Sequence, residues 1–174
     1  SAAAATALAT GHKTNNGMVG VDPTGQRLLT ILERARAMYR SAGIITTDAL
    51  HGAMPAGFAA HVDDRGKASE IAAQMAGSGA EVMMGFWKGE FLPKSAGGKR
   101  EDGRNLISEM RAKGYEVLFT KDELLNAKGE KLVGLFEDET GPTLAEMVSA
   151  ALPRLSRDAD GFFLMVECAR IDWE

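Results

Sequence analysis

Apolar positions along this chain alternate between two rhythms. Residues 27–41, RLLTILERARAMYRS, place Leu28, Ile31, Leu32, Ala35 and Met38 on one helical face, and Gly43 reads as the stop. The run GIITT that follows has the density of a buried strand. The same alternation continues to the end of the chain. PAGFAAHV (a helix opened by Pro55) and KASEIAAQMAG precede the apolar run AEVMMGF, NLISEMRAKG precedes YEVLFT, and KDELLNA precedes KLVGLF. TLAEMVSAALPRLS, with a kink expected at Pro153, precedes GFFLMVEC. Short, uniformly apolar strands alternating with helices predict an α/β fold of three layers, a mostly parallel sheet with helices on both faces. One long polar stretch interrupts the pattern, FWKGEFLPKSAGGKREDGR, and reads as a solvated surface excursion.

Composition changes this picture little. A chain of 174 residues with 45% hydrophobic content is long enough to bury a sizeable core. A net charge of -4 gives no general attraction to nucleic acid or to an anionic membrane surface. No apolar run approaches the roughly 20 residues that span a bilayer. A single cysteine, Cys168, excludes an intrachain disulfide framework. The opening alanines lack the basic flank of a signal peptide. Ser1 stands without a start residue and Glu174 directly follows a strand-like run, so the sequence reads as an internal piece of a longer protein.

Open α/β sheets bind ligands at the carboxyl ends of their strands, so polar residues there carry the candidate chemistry. Ser1 would sit at the N-terminus of a helix made from AAAATALAT, where unpaired N–H groups and the helix dipole favour an anion. On the residues alone, a plain N-cap serine is the simpler reading. Arg65 in HVDDRGK can grip two phosphate oxygens with its planar fork, or form a surface ion pair with the adjacent aspartates. Glu167 and Asp172 follow the last apolar strand, an arrangement suited to a metal ion or to helix capping. His12, His51 and His61 lack ligand spacing and read as structural.

Together these segments resemble the alkaline phosphatase family. SAAAAT fits its nucleophile signature, in which an aspartate precedes the serine, and TGHKTNNGMVGVD resembles its T-G-x-K-T-x-N-G stretch. MPAGFAAHVDDR resembles its Pro-Ala segment ending in the phosphate-binding arginine, and GFFLMVECARID resembles its G-F-F-L-x-V-E-G-x-x-I-D. The resemblance covers essentially the whole chain in order. It implies that residues 1–174 are a single partial catalytic domain whose sheet is incomplete at both ends. Ser1 then becomes the serine that attacks phosphorus, Arg65 the holder of two non-bridging oxygens, Asp172 a zinc ligand and Glu167 a magnesium ligand. Two zinc ions about 4 Å apart in the full protein would clamp the attacking and leaving oxygens.

Two residues depart from the family pattern. Gly52 stands where the family has Asp or His, and Met54 where it has Thr or Ser. A thioether is a poor partner for a hard cation, so the magnesium site rests on Glu167, with His51 as a neighbour able to compensate. Trp173 occupies a position that varies within the family, and Cys168 replaces a glycine as a packing change. The activity implied is hydrolysis of small-molecule phosphate monoesters through a phosphoserine. The alternatives are a non-catalytic or magnesium-poor phosphate-binding homologue, and a diesterase or sulfatase relative. Resemblance alone implies a homodimeric, periplasmic or secreted parent. The isolated 174 residues are expected to be inactive and to fold poorly.

Overall fold

The structure, a computed structural model, describes residues 1–137 and 140–172, with backbone only at 170 and 172. Five parallel strands form its centre: β1 (Ser41–Ala49), β2 (Val82–Phe86), β3 (Tyr115–Leu118), β4 (Lys131–Phe136) and β5 (Phe162–Glu167). Their order across the sheet is β3-β4-β2-β1-β5. Because side chains alternate across a strand, each strand feeds both faces. Ile44, Met83, Val133, Leu135 and Met165 join one core, whereas Ile45, Val82, Met84, Leu132 and Phe136 join the other.

On the first face lie α1 (Ala2–Thr10), α2 (Ile31–Ala37), α3 (Ala53–Ala59), α4 (Ala68–Gly77) and α5 (Leu106–Ala112). The opposite face carries α6 (Lys121–Asn126) and α7 (Leu144–Leu155), which contribute Leu124, Met147, Ala151 and Leu155. The three-layer α/β architecture expected from the sequence is therefore the one present. No helix among the described residues is long and apolar enough to cross a membrane.

Several local expectations need correction. The helix expected over residues 27–41 is confined to Ile31–Ala37, because Thr30 and Glu33 form a capping box that fixes its start. Arg27 instead bridges to Val21, and Leu28 N–H donates to the Gly20 carbonyl. Gly43 is no stop: it lies inside β1, where Leu155 and Leu164 side chains pack where a Cβ would project. Pro55 does not open α3, which begins at Ala53 behind Gly52, but it sits in the first turn, where its missing N–H costs no helical bond.

The polar stretch after β2 is largely exposed, as expected, but buried residues pin it. Glu90, Phe91 and Arg100 are buried. Arg100 donates through Nη1 to the carbonyl of Glu90 at 3.1 Å, and Ser69 Oγ donates to Glu90 Oε2 at 2.6 Å. Lysines and glycines obscured the three residues that anchor it. Pro153 lies in the last turn of α7, and the helix ends two residues later.

Candidate active site

Where a chain winds outward in one direction and later returns on the other side of its first strand, the carboxyl ends of the two flanking strands splay and leave a crevice. Here β1 has β2 on one side and β5 on the other, so that crevice lies over β1 and β5. The pairing of β1 with β2 shifts register between Ile45 and Ala49, a bulge that re-aims Thr46, Thr47 and Asp48. Thr46 is paired in register with Glu167 of β5. Its Oγ1 donates to Glu167 Oε2 at 2.6 Å and accepts the Asp48 N–H at 3.0 Å. Thr47 Oγ1 accepts the N–H of Ala169 at 2.9 Å, which fixes the turn after β5.

Ser1 is the N-cap residue of α1, but its hydroxyl makes no capping bond. It instead accepts from Arg65 Nη1 at 2.7 Å, a contact between residues 64 positions apart. Nor does Arg65 pair with its aspartate neighbours. Asp63 is taken by Lys67 at 2.6 Å, and Asp64 accepts the Gly66 N–H at 2.8 Å. The Arg65 backbone N–H donates to the Gly17 carbonyl at 2.7 Å and holds the loop against the segment that follows α1.

The alanines have a packing reason of their own. A Cβ on Gly57 of α3 would lie 2.6 Å from the Ala5 Cβ, so α1 and α3 touch almost backbone to backbone. Thr6 accepts the Gly20 N–H at 3.0 Å and ties the intervening loop to α1. Position 1 is thereby set by small residues buried behind it.

Ser1, Arg65 and Glu167, far apart in sequence, line one cavity of about 270 Å³, joined by Met54 and by Asp48. Sequence reasoning missed Asp48 along with Thr46 and Thr47. Their signal was available, since TTD is a polar triplet closing an apolar strand, the same cue that singled out Glu167. Burial, joined by the neighbouring Asp48 charge, pushes the Glu167 carboxyl above its ordinary pKa, while the Thr46 hydroxyl opposes the rise.

The side chain of Asp172 lies outside the described residues, as do Trp173 and Glu174. Among the described residues no three His, Cys, Asp or Glu side chains come together as a metal cluster. His51 does not line the cavity. Its ring packs edge-on to Phe91, its Nδ1 is buried without a partner, and burial lowers its pKa.

A family model described as alkaline phosphatase matches residues 1–174. The chain belongs to the alkaline phosphatase family. Alkaline phosphatase 4 of Bacillus subtilis is 35% identical over 99% of this chain and 39% of its own length. The repressible alkaline phosphatase of Saccharomyces cerevisiae is 34% identical over 99% of this chain and 37% of its own. The chain thus spans well under half the length of these relatives. The crystal structure of Thermus thermophilus alkaline phosphatase superimposes with a TM-score of 0.89 at 35% identity, covering 96% of this chain and 37% of that one. A variant of the TAB5 alkaline phosphatase, solved with magnesium bound in its M3 site, matches with a TM-score of 0.82 at 27% identity, covering 99% of this chain and 51% of that one.

Proposed function

We propose that the protein carrying this chain hydrolyses phosphate monoesters, with Ser1 as the nucleophile and Arg65 as the phosphate clamp. The observation that carries the proposal is the 2.7 Å approach of Arg65 Nη1 to an otherwise uncapped Ser1 hydroxyl at a helix N-terminus. A tetrahedral anion placed there meets the guanidinium fork and the free N–H groups of the first turn of α1.

The reaction divides into two displacements at phosphorus. Ser1 Oγ forms a bond to phosphorus as the ester P–O bond breaks, and the alcohol leaves with a proton. A water oxygen then bonds to phosphorus while the Ser1 Oγ–P bond breaks, freeing inorganic phosphate and returning the serine. Arg65 and the helix terminus hold the non-bridging oxygens through both transition states, where dispersed negative charge gains most from fixed donors.

Family resemblance assigns Glu167 to magnesium and Asp172 to zinc. The oxygen donors gathered around Glu167 fit a hard cation such as magnesium, and a magnesium-bearing relative supports that reading. Zinc rests on Asp172 by resemblance alone. When bound, the metals lower the pKa of the attacking hydroxyl or water and carry charge at the leaving oxygen.

Mass spectrometry of the intact protein after incubation with p-nitrophenyl phosphate is expected to find a phosphoryl group on Ser1. Ser1→Ala is expected to remove both the adduct and turnover. Undiminished turnover in Ser1→Ala overturns the proposal.

A further inference from the structure

We propose that Asp48 supplies the second carboxylate of the magnesium site beside Glu167, in place of the side chain that Gly52 lacks; this rests on the reading of the cavity as a phosphatase site. A Cβ built on Gly52 would point at Asp48 Oδ2, 3.5 Å away. The carboxylate thus stands in the space that a residue at position 52 would fill. Glycine is also what this backbone requires, because the same Cβ would lie 2.9 Å from the Ala49 carbonyl oxygen, in a turn closed by the Gly52 N–H to that oxygen at 2.8 Å. A carboxylate cannot be carried on residue 52 without moving this turn, whereas residue 48, re-aimed by the β1 bulge, delivers one to the same spot.

The Asp48 carboxylate is held as a ligand needs to be. Oδ1 accepts the N–H of Ala49 at 2.6 Å, while Oδ2 takes no hydrogen bond among the described residues. Thr46 locks the pair together, accepting the Asp48 N–H and donating to Glu167. Neither Asp48 nor Glu167 forms an ion pair among the described residues, although both line the cavity. Its one lining cation, Arg65, is turned to Ser1. Two carboxylates in one recess, neither of them ion-paired among the described residues, repel each other, and a divalent cation between them removes that cost. Met54 contributes only a thioether, which a hard cation ignores. Charge and donor count therefore fall to Asp48.

Isothermal titration of Mg2+ into the intact, chelator-treated protein tests this without reading activity. Asp48→Asn keeps the acceptor for Ala49 N–H and the shape of the side chain, so its thermal midpoint is expected to stay near that of the wild type. Its Mg2+ affinity is expected to fall by about tenfold or more, as in Glu167→Gln. Asp48→Glu, which keeps the charge, is expected to recover most of the affinity, and Asp63→Asn on the surface is expected to leave it unchanged. Wild-type Mg2+ affinity in Asp48→Asn, with Glu167→Gln impaired, overturns the assignment. The phosphatase reading is judged separately by titrating inorganic phosphate. Arg65→Ala is expected to lose phosphate while keeping Mg2+, and phosphate binding unchanged by that substitution counts against the clamp and not against Asp48.

Discussion

Arg65 directly follows two aspartates, yet its guanidinium reaches across the fold to Ser1 because Lys67 and the Gly66 N–H have already engaged those neighbours. A charge-assisted bond of this kind contributes about 1.5–3 kcal/mol. Arg65→Ala is accordingly expected to weaken inorganic phosphate binding by roughly 10- to 100-fold, measured by calorimetry. Arg65→Lys is expected to recover only part of it, because an ammonium offers no planar fork. At this scale the sequence was informative where a residue's chemistry suited its place: Ser1 at a helix N-terminus, Arg65 with its planar fork, and Glu167 at the close of an apolar strand. Asp48 obeys the same rule. It passed unnoticed because its significance depends on a bulge, and a shift in strand pairing leaves no mark on the local residue pattern.

Helices owe their boundaries to capping, and here capping and apolar periodicity disagree at α2 and agree at α7. Thr30 and Glu33 begin α2 three residues later than the first apolar position, Leu28, suggests. Thr143 and Glu146 form the same box at the start of α7, where Lys121 also binds Glu146 at 2.7 Å. Thr143→Ala is expected to cost about 1 kcal/mol, readable as a lowered denaturation midpoint. The Lys121 contact and the Thr143 N–H draw the Glu146 pKa down from 4.5 to about 2. Its folded pKa is depressed, so its contribution is complete above about 4.5 and is lost as pH falls towards about 2. Glu146→Gln is expected to flatten the pH dependence of the melting temperature across that window. Between α1 and α3 the controlling fact is the absence of a side chain. Gly57→Ala places a methyl 2.6 Å from the Ala5 Cβ. Overpacking of this sort costs about 1–3 kcal/mol, and the displaced α1 is expected to carry Ser1 with it, reducing phosphate affinity along with stability.

Across the whole molecule, α1 to α5 cover one face of the sheet and α6 and α7 the other, but β5 stands at its edge, with Phe162 39% and Val166 44% exposed. An apolar edge strand is a template for pairing with another chain. Residues 1–174 in isolation are expected to self-associate in sedimentation experiments, and Val166→Lys is expected to shift them towards monomer. The alternation of helical and apolar runs was enough to settle the layered α/β class, because a 3.6-residue period marks a helix with one buried face and a short unbroken apolar run marks a strand buried on both, and both are legible in a local window of sequence. Motif order along the chain was enough to indicate the family. Which polar groups meet was a matter of topology: the placement of β1 between β2 and β5 brings residues 1, 48, 65 and 167 to one cavity. Contacts over such separations come from strand order and helix packing, which no local period encodes.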